Sequence, residues 1–472
     1  MEYIENRTFD EIAPGDSASL TRTLTDSDIK LFAIMSGDVN PAHLDEEYAR
    51  TDLFHKIIAH GMWGGALIST LLGTQLPGPG TIYLSQTLRF RRPVALGDTI
   101  MVSVHVLAKD AEKHRITFDC NCINQAGETV ISGTAEVIAP TEKIKRPRIN
   151  LPDVHLHDHG ARYRQLLTTT TGLPPVRMGI VHPVEQATLA AVAEAAQAGL
   201  ITPVLIGPQP LVHAAAQIAG IDIAPYELID TSHGHAATIH AVELAHTGRL
   251  DALMKGDLRV EEFLHVVVDK HNGLGTGRRM SHVFALDVPT YPRPLFITDA
   301  AINVEPNLED KRDIVQNAID LAQALGIAKP RVALLAAVET INPRIRSTLE
   351  AAALCKMVER GQITGGHIDG PLAFDTAVSA EVARAHGVMS PVAGQADILV
   401  APDLEAATML VKQLESLAEA QSAGIVLGAR IPIVLNGTTT QALSYLGACA
   451  IASILSNSRH AHHAMGHLPG AL

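Results

Sequence analysis

The hydrophobic rhythm of this chain changes once, and that change limits its architecture more than any single motif does. Before residue 139, apolar side chains recur at every second position. Ile82, Leu84, Leu88 and Phe90 share one face of TIYLSQTLRFRRPV; Ile100, Val102, Val104 and Val106 share one face of DTIMVSVHVLA; Ile116, Phe118 and Cys120 share one face of RITFDCNC. Period two is the spacing of a half-buried strand, and short turns at Leu96-Gly97-Asp98 and near Gly127 make successive strands antiparallel. After Pro175, short aliphatic runs such as VRMGIVHP and ITPVLIGP alternate with Ala-rich amphipathic segments such as EQATLAAVAEAAQAG and PLVHAAAQIAG. Strand, helix, strand is the pattern of a mainly parallel sheet. A chain of 472 residues exceeds what one ordinary core holds. The expected order is therefore an α+β domain over 1–140, a linker over 141–174 and a two-lobed α/β domain with mainly parallel sheets over 175–472.

Within the first domain, residues 16–35 carry a helix signal, with Thr25 and Asp28 spaced as a capping box and Gly37 as the stop. GMWGGALISTLL, from Gly61 to Leu72, is an apolar helix whose clustered small residues suit close packing on a sheet. The linker segment TEKIKRPRINLPDVHLHDHGARYRQ mixes charges and prolines without a period. Strand and helix signals then alternate to about residue 420, and the His-rich tail SRHAHHAMGHLPGAL has no apolar stripe and reads as a solvated, frayed end, with a metal site as the second reading.

Charge and cysteine usage exclude several classes of function. A net charge of −13 argues against nucleic acid or an anionic membrane as the main partner, while leaving room for a local basic pocket that holds phosphate. The N-terminus MEYIENRTFDEIAPGD lacks the basic and apolar regions of a secretory signal, and no apolar run reaches spanning length, so a cytoplasmic enzyme is expected. Cys120 and Cys122 share a strand and Cys355 and Cys449 lie far off, which makes neither a disulfide framework nor a paired zinc motif; no metal is expected.

SGDVNPAH, residues 36–43, places an acid and an imidazole five positions apart around one proline. Pro41 pushes Asn40 out of the helical region, so the chain turns after Gly37 and can bring Asp38 and His43 to one side of a groove. From residue chemistry, two readings stand: an Asx-turn with a surface histidine, or a pair poised for proton transfer. The longer segment FAIMSGDVNPAHLDEEYA, together with AHGMWGGALISTLLGTQLPGPGTIYLSQTLRFRRPVALGDTI, resembles the MaoC-like hydratases, the (R)-specific enoyl-CoA hydratase class, over residues 10–139. The resemblance implies a hot-dog fold that dimerises into a homo-oligomer. It also implies that Asp38 and His43 activate water for addition to a trans-2-enoyl-CoA, with Asn40 as buttress, the Gly61 N–H near the thioester oxygen and Ser69 lining the site.

The C-terminal segments LMKGD, RRMSHVFALDVP, PLFITDAAINVEPNLEDKRDIVQNAIDLA, TGGHIDGPLAFDTAVS and QADILVAPDLEAATML resemble, in order and length, the phosphate acetyl/butyryltransferase family over about 175–457. This implies acyl transfer between CoA and inorganic phosphate, with CoA thioesters and phosphate as substrates and no required cofactor. Candidate contacts are Lys255 at a strand end, Arg278 and Arg279 after the glycine-rich NGLGTG loop, which is expected to be mobile, and Asn303 and Asp369. After IPIVL the family usually carries a Ser-Arg pair, whereas this chain has Asn436-Gly437-Thr438. Thr cannot supply the bidentate phosphate contact of a guanidinium. Asn436 and Thr438 are therefore candidates in altered form, and a catalytically weak acyl-CoA-binding or regulatory module is the alternative for this half. An acyl-CoA-binding assembly protein is the alternative for the whole chain.

Overall fold

The computed structural model describes residues 3–152, 154, 156, 160–435 and 442–466. The chain divides into two compact units, Met1–Leu156 and His157–Leu472. The first is built on five antiparallel strands: β2 (Ser17–Thr23), β3 (Ile82–Phe90), β4 (Thr99–Asp110), β5 (Arg115–Asn124) and β6 (Thr129–Ile138), ordered β2-β4-β5-β6-β3. A separate ribbon pairs β1 (Tyr3–Glu5) with β7 (Lys145–Pro147). Four helices complete the unit: α1 (Asp26–Ser36), α2 (Pro41–Leu44), α3 (Glu46–Thr51) and α4 (Gly61–Thr74). This is the hot-dog arrangement, an antiparallel sheet wrapped on one apolar helix.

The period-two faces of β4 and β5 form the core. Ile100, Val102, Val104, Ile116, Phe118 and Cys120 are all buried, packed with Ile68, Leu71 and Leu72 of α4. Gly64 makes the close approach possible, since a Cβ there would stand 2.3 Å from Ile131 Cδ1. β3 departs from its expected alternation: a bulge between Tyr83 and Ser85 puts Ile82, opposite Ile138, on the other face from Leu88 and Phe90, opposite Gly133 and Ile131, so Ile82 is 57% exposed while Leu88 packs against the core.

Two expectations for this part of the chain differ from what is observed. Residues 17–23 are strand β2, and the helix begins only at Asp26; Thr25 caps it with the expected reciprocal box to Asp28. The stretch 141–174, expected as a linker, falls partly in each unit. Lys145–Pro147 is sheet-paired, and Ala161–Thr169 is a helix whose buried Tyr163 donates to the carbonyls of Ala285 and Gln421.

The second unit carries one sheet of eleven strands: β8 (Val176–Val181), β9 (Ile201–Gly207), β10 (Glu227–Asp230), β11 (Ala252–Lys255), β12 (Ser281–Asp287), β13 (Leu295–Thr298), β14 (Arg331–Leu335), β15 (His367–Leu372), β16 (Ile398–Val400), β17 (Gln421–Leu427) and β18 (Ile433–Val434). Its order is β10-β9-β8-β11-β18-β17-β12-β13-β16-β14-β15. Two parallel halves, β10 to β18 and β13 to β15, flank the antiparallel strands β17 and β12. Helices lie between successive parallel strands, as the Ala-rich segments predict. Because β17 opposes both β18 and β12, β12 runs in the direction of β11 and β13 runs against it. Met254, Val434, Ile425 and Val283 stand opposite one another across this middle. The tail expected to be a solvated end instead continues a helix, Ala442–Gly466, where Arg459 donates to the carbonyls of Ala429 and Arg430. Residues beyond Gly466 lie outside the described residues.

Candidate functional site

Local chemistry shapes the turn after α1. Gly37 ends the helix in the left-handed region, with φ of 75°. Asp38 N–H then donates to Ser36 Oγ (3.2 Å), Asn40 N–H to Asp38 Oδ1 (3.2 Å) and Ala42 N–H to Asn40 Oδ1 (3.1 Å). Asn40 thus caps α2, with Pro41 at its first position, where the missing N–H costs nothing. Its contribution is to the shape of the turn that presents Asp38.

His43 leaves α2 toward the segment before α4. Its Nδ1 lies 2.9 Å from the carbonyl of Ile58, and because a carbonyl only accepts, Nδ1 carries the proton and the neutral ring keeps its lone pair on Nε2. Asp38, His43 and His60 each bring one carboxylate or ring atom within 4.8 Å of the others. The sequence-derived pair is therefore assembled, with a third group, His60, that sequence reasoning missed. Such a donor set could hold a divalent ion, although each imidazole already commits one nitrogen to a main-chain carbonyl.

Beside the pair lies a cavity of about 340 Å³, lined by His43, His60, Gly61, Trp63 and Phe90, with Arg91 and Arg92 also on its wall. Gly61 opens α4, so its N–H is one of the first-turn donors that helical geometry leaves without an intrahelical acceptor. A Cβ on Gly61 would approach Phe90 Cε1 to 3.1 Å, so glycine keeps this wall open. Asp38 is exposed at the side of the cavity and does not line it. Ser69 sits eight residues, roughly 12 Å, farther along α4 on the exposed face, and it does not line the cavity either.

In the second unit the sequence candidates do not form one cluster. Lys255 ends β11, half-buried, and its Nζ donates to the carbonyls of Gly256 (2.9 Å) and Leu258 (3.0 Å), while burial pushes its pKa down. Arg279 and Asn303 are together: Arg279 Nε donates to Asn303 Oδ1 at 2.6 Å. Asn303 is held in turn by the buried carboxylate of Asp299, a residue not singled out from sequence. Arg278 turns to Asp320 and Asn317.

Strand direction explains the separation. Lys255 stands one residue past the row of Met254 and Val283, and Arg279 four residues before it, which is roughly 16 Å along the strands. Asp369 lies on the outermost strand β15, four strands from β12 and so roughly 19 Å across the sheet. The glycine-rich loop is tied down where mobility was expected, through a bridge from Gly275 to Ala429, Thr276 Oγ1 to the Gly428 carbonyl, and Arg430 N–H to the Leu274 carbonyl. Asn436 and Thr438 lie outside the described residues.

Residues 231–452 match the family model described as phosphate acetyl/butaryl transferase, and residues 12–123 match that of the MaoC like domain. The chain is 50% identical over 301 residues to a phosphate acetyltransferase of Rhizobium meliloti, an alignment covering 64% of this chain and 95% of that relative. Among solved structures, a branched-chain phosphotransacylase from Enterococcus faecalis V583 is similar at 25% identity and a TM-score of 0.53, covering 60% of this chain and 99% of that one. The R-hydratase PhaJ1 from Pseudomonas aeruginosa is 46% identical, with a TM-score of 0.32, over 33% of this chain and 99% of its own.

Proposed function

The chain belongs to the phosphate acetyl/butyryltransferase family and carries a MaoC-like domain ahead of that region, and from this premise we propose that it is a bifunctional acyl-CoA enzyme. The N-terminal unit hydrates trans-2-enoyl-CoA to (R)-3-hydroxyacyl-CoA. The C-terminal unit exchanges acyl groups between CoA and inorganic phosphate.

The observation that carries the first activity is the meeting of Asp38 with His43, whose Nδ1 is committed to Ile58. A water held between the carboxylate and His43 Nε2 loses a proton as its oxygen bonds to Cβ, and a proton returns to Cα. Enolate charge develops on the thioester oxygen, and the Gly61 N–H at the start of α4 is the donor placed to meet it; one such donor is worth about 3 kcal/mol. Arg91 and Arg92 supply positive charge beside the cavity for the phosphates of CoA. Hydration of crotonyl-CoA, followed by loss of thioester-conjugated absorbance, tests this reading. The same assay after chelation of divalent ions tests the expectation that no metal is needed: full activity supports it.

For the second unit, the identity to a phosphate acetyltransferase favours turnover, while Asn436-Gly437-Thr438 in place of Ser-Arg favours a weakened or CoA-binding module. Formation of acyl-CoA from acyl phosphate and CoA separates the two. Robust turnover supports the transferase; CoA binding without turnover supports the module.

The exposed apolar residues Met62, Ile82, Leu84 and Phe90 on α4 and the edge strand β3 support self-association of the first unit, most simply as a dimer. No helix among the described residues is long and apolar enough to cross a membrane, and we place the enzyme in the cytoplasm.

A further inference from the structure

His60 is a buried imidazole that the hydration chemistry above leaves unused. It is 2% exposed, precedes the first turn of α4 without capping it through its side chain, and lies between the ring of Phe32 at 5.0 Å and that of His43 at 4.0 Å. Its Nε2 is 3.0 Å from the main-chain carbonyl of Asp38, so Nε2 is the donor; its Nδ1 is buried with no partner among the described residues. A phenylalanine would fill the same space without an unpaired nitrogen, so packing alone does not account for a histidine here.

Across the gap, His43 does the reciprocal thing. It belongs to the turn side and donates to Ile58, two residues before His60, while His60 belongs to the helix side and donates to Asp38. The two imidazoles therefore form a crossed brace, each holding a carbonyl of the other's segment. The remaining bonds of the turn are local: Ser36 to Phe32, Asp38 to Ser36, Asn40 to Asp38 and Ala42 to Asn40. They give the turn its shape but do not attach it to α4. Among the described residues, the bond from His60 is the one that ties Ser36–Asn40 to a segment beyond residue 43.

We propose that His60 is a positioning residue for hydration, holding Asp38 and His43 in register with the Gly61 N–H at the start of α4. The role rests on the hydratase reading. It follows from geometry that catalysis here needs three groups from two segments, and a shift of about 1 Å between such groups can cost about 100-fold in rate.

The test compares His60→Phe, which keeps the ring and removes the donor, with His60→Gln, which keeps an N–H near the position of Nε2. His60→Phe is expected to lower kcat for crotonyl-CoA about 10- to 100-fold with KM within about threefold and an unchanged melting temperature, and His60→Gln to recover at least about fivefold of that loss. Wild-type kcat in His60→Phe, or an equal loss in His60→Gln, overturns the role. Should either variant fail to fold, ¹⁵N imidazole spectra of the wild-type chain at pH 8 decide instead: the proton is expected on Nε2 of His60 and on Nδ1 of His43, and a His60 protonated on Nδ1 removes the brace. A wild-type chain that does not hydrate crotonyl-CoA retires the hydratase reading and this role with it; an active wild type with an unimpaired His60→Phe retires only the role of His60.

Discussion

Asp38 is exposed, makes no ion pair among the described residues, and meets its neighbours through an oxygen that asparagine would also supply. Asp38→Asn is therefore expected to leave the melting temperature within about a degree while hydration of crotonyl-CoA falls by about 10²- to 10⁴-fold, the range of a lost acid or base. Near wild-type turnover would remove Asp38 from the mechanism. Cysteine chemistry gives a pH-dependent expectation. Burial pushes the thiol of Cys449 up to about 12 and that of Cys120 to about 11. An unfolded thiol ionises near its ordinary value while the native one stays protonated, so above roughly pH 9 the native state binds more protons and stability falls as pH rises. For Cys449 the slope is about 1.4 kcal/mol per pH unit until its native pKa is reached. Urea melts of Cys449→Ala against wild type between pH 8 and 10 measure it: the stability difference between the two should narrow as pH rises. At this scale the sequence was readable where spacing was local, as for Asp38, Asn40 and His43. It was silent on His60, because a ring that reaches back 22 residues leaves no trace in periodicity.

Two glycines set the geometry of the elements that carry the site. Gly37 adopts φ of 75° at the end of α1 with open space around it, so Gly37→Ala meets backbone strain without a clash and should cost about 1 kcal/mol. Gly133 in β6 is held by its neighbour: a Cβ there would lie 1.8 Å from the Thr87 carbonyl oxygen of β3. Gly133→Ala must push β3 off the sheet and should destabilise the first unit by about 3 kcal/mol or more, read as an early thermal transition. A transition unchanged within error would show that β3 can shift cheaply. The apolar alternation of β4 and β5 and the capping box at Thr25 were legible because each is a local pattern. Strand β2, SASLTRT, was not, since its small and hydroxylated residues carry a weak alternation and the helix signal follows directly. Period two puts Ile82 on one face with Leu88 and Phe90, and the bulge between Tyr83 and Ser85, which no local pattern announces, turns Ile82 to the other face.

The whole molecule divides at 156/157, and each part has its own core. Residues 1–156 produced alone are expected to keep crotonyl-CoA hydration within about threefold of the full chain, and residues 157–472 alone to show the acyl transfer of the full chain; loss of both would mean that the cores depend on one another. Change of rhythm, order of elements and both family resemblances were determined by the sequence itself, because period two, strand–helix alternation and the SGDVNPAH spacing are written within short windows. Tertiary structure decided the rest. It set Lys255 and Arg279 about 16 Å apart along the strands, since the directions of β17 and β12 depend on pairings between distant segments. It also brought His60 against His43, because two carbonyls on two segments, those of Asp38 and Ile58, lie within reach only once α4 has packed against the sheet.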